Sequence, residues 1–221
     1  MEILCFIIMI IAPYLISGIN SAIIVTKIKS GEDIRKLGSS NAGLTNTLRT
    51  QGKTAAAFVL FGDVLKGVLS VFVVRLAFYY LVGTDTADIS NGMSWVGYVA
   101  GIMASLGHVF PIYYKFRGGK GVLVTVSVLY AIDWISASIL LGLFIIIVVI
   151  TRYVSLGSVI AGSCYPLCVL IIGNLEQDPA AKINALLGIV IAFILVFMHR
   201  QNIVRLINKT EKKLSFRKRT R

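Results

Sequence analysis

Apolar residues in this 221-residue chain come in long runs. They follow neither the alternation of a half-buried strand nor the one-sided stripe of a surface helix. Seven segments can be read: 3–26, 54–82, 94–114, 120–132, 134–151, 154–173 and 183–199. Crossing a hydrocarbon core takes roughly 17–25 apolar residues in a helix, because lipid offers no partner to backbone N–H and C=O groups. Six segments fall in or near that range, or exceed it. The one at 120–132 is too short to cross straight. It is expected to lean on neighbours, to sit where the bilayer thins, or to go part way. The first segment is broken by Pro13, Ser17, Gly18, Asn20 and Ser21, and the second carries Asp63, Lys66 and Arg75. The pattern predicts an all-α fold: a polytopic membrane helix bundle of about seven transmembrane helices, with 1–221 as a single domain and no room for a separate soluble one.

Composition narrows the class. Hydrophobic residues make up 57% and charged residues 14%, against roughly 45–50% and 25% in soluble domains. That excludes a soluble enzyme, a disordered chain and a disulfide-stapled module. Cys5, Cys164 and Cys168 lie in apolar runs and read as packing residues. No metal cluster is visible and no cofactor is implied.

The net charge of +12 lacks the recognition elements of a nucleic-acid binder; it reads instead as cytoplasmic loops. The stretches 27–53 and 115–120, Arg152 and the chain from Arg200 hold six, three, one and nine basic residues, while the opposite loops hold only Lys182. The N-terminus is therefore expected outside and the C-terminus inside, as an odd number of spans requires. The N-terminus lacks a basic leader region, so the first segment is expected to be retained. The basic tail 207–221 suits anionic headgroups, and Lys212, Lys213, Arg217, Lys218 and Arg219 are assigned no catalytic role.

Unusual polar sequence gathers on the basic side. Gly31 to Arg49 shows no helical or strand periodicity. Its glycines let N–H groups converge on an anion, Ser39 and Thr45 add hydroxyls, and Arg35 and Arg49 can grip phosphate; an ordinary solvated basic loop remains open. Gly107-His108-Val109-Phe110-Pro111 precedes Lys115 to Gly121, where Gly118, Gly119 and Gly121 flank Lys120 before an apolar helix. A Gly-rich helix start can hold phosphate, although a tight interfacial turn explains it nearly as well. This is not a Walker A loop, since Val122 follows Gly121. His199 and Asn202 stand at i and i+3 and share a face if the seventh helix continues. Asp63 and Lys66 have the same spacing inside the second segment, as an ion pair fixing packing or as functional charge.

Together these segments resemble the bacterial acyl-phosphate:glycerol-3-phosphate acyltransferase family. The motif D-I-R-x-x-G-S-G-N-x-G-x-T-N-x-x-R runs from Asp33 to Arg49. G-H-x-F-P with F-K-G-G-K-G runs from Gly107 to Gly121. H-R-x-N-I-x-R-L with Gly-Thr-Glu runs from His199 to Glu211, and Asp63, Lys66 and Gly67 match Asp-x-x-Lys-Gly. Ser40 and Lys209 stand where the family has glycine, Arg117 replaces a lysine, and Ser17-Gly18 stands for Gly-Ser.

The resemblance implies transfer of a fatty acyl group from acyl-phosphate to the 1-hydroxyl of sn-glycerol 3-phosphate, giving lysophosphatidic acid and phosphate. It implies a multi-pass protein of the bacterial cell membrane with a cytoplasmic site, and functional coupling to the enzyme that makes acyl-phosphate. By the same likeness Gly118, Gly119 and Gly121 with Lys120 hold the acyl-phosphate. Ser39, Asn41 and Arg49 orient phosphate, and His199 and Asn202 align the glycerol hydroxyl. Thr45, Asn46, His108, Lys66 and Glu211 complete the substrate site.

A transporter of a phosphorylated or anionic solute would also use intramembrane charge, but its site belongs near the midplane between repeats, and no internal repeat is found. A scaffold held to lipid by its basic tail leaves the three ordered motifs unexplained.

Overall fold

The computed structural model describes residues 1–214. These form ten α-helices and no strand among the described residues. Helix α1 (Glu2–Gly18) and helix α2 (Ser21–Ser30) divide the first apolar segment at Asn20. The Asn20 side chain caps α2 by accepting from the Ile23 N–H at 3.0 Å. The remaining long helices are α4 (Lys53–Val82), α5 (Trp95–Val109), α7 (Trp134–Thr151), α8 (Val154–Leu175) and α9 (Ala181–Met198). Six stretches are long and apolar enough to cross a membrane: 2–30, 53–82, 95–114, 134–151, 154–175 and 181–198. Helix α6 (Val122–Ile132) has eleven residues and is shorter.

The bundle is inside-out by soluble standards. Phe61, Tyr80, Val149, Ile150 and Phe193 are exposed, while Asp63, Lys66, His108, His199 and Asn202 are buried. In lipid the outward face gains nothing from being polar, so helices associate through close packing and internal hydrogen bonds. At the α1–α5 crossing, a Cβ on Gly107 would run into the Tyr14 backbone. At α4–α6 a Cβ on Gly67 would do the same with the Ser127 side chain. Larger residues would hold these helices apart.

Two expectations need correction. The stretch 31–49 is not wholly irregular: helix α3 (Leu44–Gln51) occupies its second half. Its buried positions are Asn46 and Thr47, so no apolar stripe announces it. The seventh segment does not continue as one helix either. Helix α9 ends at Met198, His199 is the joint, and helix α10 (Arg200–Ile207) follows. After α10 the chain turns back, and the Leu214 N–H reaches the Arg152 carbonyl at 2.7 Å. Residues 208–214 are thus built against the α7–α8 turn, while Arg217, Lys218 and Arg219 lie outside the described residues.

Ser40 and Lys209, the two residues standing for motif glycines, have φ of +59° and +56°. A side chain in this left-handed region costs about 1–2 kcal/mol; glycine avoids that cost but loses more freedom on folding. Ser40→Gly and Lys209→Gly are each expected to stabilise the fold, by up to about 1 kcal/mol. Thermal unfolding of the purified protein should register a higher Tm, and a lower one would mean the side chains contribute contacts of their own.

Candidate active site

One end of the bundle collects the loop 31–43, α3, the start of α6, the α7–α8 turn, α10 and the segment after it. Asn46 shapes the first of these. Its Oδ1 accepts from the Ser39 N–H at 2.9 Å, and its Nδ2 donates to the carbonyls of Leu37 and Asn41 at 2.9 and 3.0 Å. Both ends of the amide are engaged within the loop, which turns Ser39, Asn41 and Thr45 toward a common space. Arg35 is similarly committed. It pairs with Asp33 at 2.6 Å and donates to the carbonyl of Tyr114 at 2.9 Å and of Arg117 at 3.2 Å. The phosphate grip that its sequence position suggested is replaced by a clamp between two loops. The Arg49 side chain makes no hydrogen bond to another described residue and is exposed at the cavity rim.

The Gly118-Gly119 pair does not form the expected anion nest. Its N–H groups bond to the carbonyls of Val109 and His108 at 3.0 and 3.2 Å. A Cβ at Gly118 would strike the His108 carbonyl, and one at Gly119 the His108 ring. These glycines are needed for close approach to His108, and neither lines the cavity. Gly121 does line it, with φ of +82° as the residue before α6. Lys66 sits behind His108: its Nζ lies 3.0 Å from Asp63 Oδ1, 2.9 Å from the Ile19 carbonyl and 2.9 Å from His108 Nδ1. An ammonium only donates, so Nδ1 accepts and the His108 Nε2 carries the ring proton.

Glu211 organises the far wall. Its Oε1 accepts from Asn202 Nδ2 at 2.8 Å and Ser155 Oγ at 3.0 Å, and its Oε2 from Arg205 Nε at 2.7 Å. Burial alone would raise its carboxyl, but these bonds outweigh burial and hold the pKa below the ordinary value. Asn202 in turn accepts from Lys120 Nζ. Burial first, then the Arg205 charge, push the Lys120 ammonium down to about 8. His199 is buried, with Nδ1 2.8 Å from the Leu195 carbonyl. A carbonyl only accepts, so Nδ1 donates and Nε2 is left as an acceptor. Burial and the Lys120 charge push His199 down to about 4, the bond to Leu195 opposing them.

These groups open onto one cavity of about 730 Å³. Of the residues singled out in the sequence, Ser39, Ser40, Asn41, Thr45, Asn46, Arg49, Asp63, His108, Lys120, Gly121, His199, Asn202 and Glu211 line it. Gly118, Gly119 and Lys66 stand one layer behind. Two contributors were missed. Arg205 shares a face with Asn202 at i+3, a signal that was available. Ser155 had only its place in the first turn of an apolar helix. Below the charged mouth the walls become apolar, with Leu129, Leu140, Phe144, Ala161, Ile191 and Leu195. A cationic mouth over a greasy sleeve suits a molecule with an anionic head and a hydrocarbon tail.

A family model described as glycerol-3-phosphate acyltransferase matches residues 7–209. A glycerol-3-phosphate acyltransferase of Clostridioides difficile (strain 630) is 39% identical over 218 residues, covering 99% of this chain and 100% of the relative. One from Halalkalibacterium halodurans is 40% identical, covering 96% and 97%. The crystal structure of PlsY (YgiH), an integral membrane glycerol 3-phosphate acyltransferase, in its glycerol 3-phosphate form superposes with a TM-score of 0.75. Identity there is 31%, with 94% of each chain covered. Its lysophosphatidic acid form gives a TM-score of 0.73 at 29% identity. The chain belongs to the glycerol-3-phosphate acyltransferase family.

Proposed function

We propose that the enzyme moves a fatty acyl group from an acyl-phosphate to the 1-hydroxyl of sn-glycerol 3-phosphate, releasing 1-acyl-glycerol 3-phosphate and inorganic phosphate. The observation that carries this reading is the continuity of the cavity, from Arg49, Lys120 and Arg205 at its mouth into apolar walls. The bias of basic residues supports a cytoplasmic mouth and an external N-terminus.

The donor is a mixed anhydride and arrives activated, so the site has mainly to position two anions and to spread developing charge. Lys120, held by Asn202, supplies fixed positive charge beside the scissile C–O bond. Ser39, Asn41, Thr45 and Arg49 face the phosphates from the opposite wall. His199 Nε2 accepts the hydrogen bond of the glycerol hydroxyl and orients it. The hydroxyl oxygen attacks the carbonyl carbon, the C–O bond to phosphate breaks, and the phosphate leaves with the electron pair. A histidine at about 4 is a poor proton sink near neutral pH. The departing phosphate is the better one and takes the hydroxyl proton.

Purified protein given palmitoyl-phosphate and glycerol 3-phosphate is expected to release phosphate and lysophosphatidate in equal amounts. Turnover with palmitoyl-CoA alone would overturn the donor assignment.

His199→Ala is expected to lower kcat by about tenfold, the worth of one orienting hydrogen bond. A loss near the upper end of the 10²–10⁴-fold range for a general base would instead return the proton to His199.

The alkaline limb of kcat/KM against pH is expected at about 8, where the Lys120 ammonium is lost as pH rises. Lys120→Arg should carry this limb above the measurable range, since guanidinium stays charged. Glu211→Gln should draw it lower, because the Glu211 charge is what holds the ammonium's pKa up against burial and Arg205. A limb that stays put in both variants would sink the assignment to Lys120.

A further inference from the structure

The sleeve ends on a single ring. Tyr165 on α8 is buried at its floor, with Leu129 and Ile191 beside it. Behind Tyr165 stands Tyr98 on α5, stacked at a centroid distance of 6.5 Å and an interplanar angle of 21°. Tyr98 belongs to a different space, a polar cavity of about 250 Å³ at the opposite end of the bundle, with Arg75, Asp133, Glu176 and Asp178 in its walls. Two rings therefore separate an apolar sleeve from an acidic, polar chamber. The Tyr165 ring is held in place: a Cβ on Gly188 of α9 would already lie 3.3 Å from its Cε1. Its buried hydroxyl has no hydrogen-bond partner among the described residues.

We propose that Tyr165, backed by Tyr98, is the end stop that sets how long an acyl tail the enzyme accepts; this rests on the acyl-transfer reading of the same cavity. Ser155, bonded to Glu211 at the charged mouth, and Tyr165 are separated by about 15 Å of α8 at 1.5 Å per residue. An extended chain advances about 1.2 Å per bond, a third of the extended peptide repeat of about 3.6 Å. A straight tail of about a dozen bonds then reaches the ring. A longer tail must coil, leave sideways between helices, or displace the ring. Past the ring it would meet Arg75 and carboxylates in place of apolar walls, so the stop is polar as well as steric. The ring's bulk does this work, and its unpartnered hydroxyl does not.

The test is kcat/KM for a series of saturated acyl-phosphates, each normalised to the shortest tail. Because the tail leaves lipid or detergent as apolar as the sleeve, the value should stay nearly level as the tail lengthens, until a ceiling is reached beyond which it falls. Tyr165→Ala exposes the space up to Tyr98, 6.5 Å on between centroids, and should lift the ceiling by about five carbons. Tyr165→Phe should keep the wild-type ceiling. Ala161→Leu, which fills the sleeve about one turn above the stop, should lower it. A Tyr165→Ala enzyme with the wild-type ceiling overturns the proposal, as does a Phe variant that shifts as far as the Ala variant. Should Tyr165→Ala fail to fold, an unchanged ceiling in Ala161→Leu decides against it. Wild-type protein that turns over no acyl-phosphate of any length would defeat the acyl-transfer reading itself, a result distinct from an unmoved ceiling.

Discussion

The charged end of this bundle closes on one carboxylate. Glu211 comes after the last helix, yet it accepts from Ser155 at the start of α8 and from Asn202 and Arg205 on α10. Through Asn202 it also fixes Lys120 at the start of α6. Three stretches far apart in the chain are held by a group whose negative charge is sheltered from bulk water. The Arg205 side chain is 41% exposed, so its ion pair with Glu211 is screened by water; what the carboxylate contributes is the fixed geometry of the hydrogen bonds it accepts. The network needs the return turn at Lys209, in a conformation that a lysine adopts only with strain. Position of the carboxylate, and hence of Lys120, depends on that turn.

A second brace lies on the other side of the cavity. Asp63, Lys66 and His108 form a buried chain between α4 and α5, and the Gly118-Gly119 backbone packs directly on His108. With Arg35 bridging the first loop to the second, most of the polar residues at this end support other residues. Only a few, Arg49, Lys120, Ser39 and His199 among them, retain groups that can meet a substrate. This division suits membrane depth, where irregular backbone is tolerated only if protein satisfies its hydrogen bonds.

The apolar part of the cavity has a different logic. Its walls come from α6, α7, α8 and α9, the same helices whose outer faces meet lipid. In the proposed reaction, a tail entering the sleeve exchanges one hydrocarbon environment for another, so the apolar walls contribute little discrimination by themselves. Discrimination has to come from shape, and shape is supplied where the Tyr98–Tyr165 pair interrupts the sleeve.

Hydropathy by itself determined the all-helical membrane class, six of the crossing helices to within a few residues, and the shortness of α6, because lipid forces backbone hydrogen bonds inside each apolar run. Residue chemistry alone also singled out His199, Asn202, Lys120 and Arg49; that they line one cavity was decided by the tertiary structure. The sequence could not show α3, whose buried face is polar, nor the break at His199, which keeps the i, i+3 spacing while ending the helix. Nor could it separate glycines that bind from glycines that make room: Gly118 and Gly119 carry the same letters in either role, and only the position of His108 against them decides. The meeting of Glu211 with Ser155, 56 positions away, and of Tyr165 with Tyr98 belonged to the tertiary structure alone. Local pattern encodes helices, but which helix faces meet across the bundle is set by packing between distant segments.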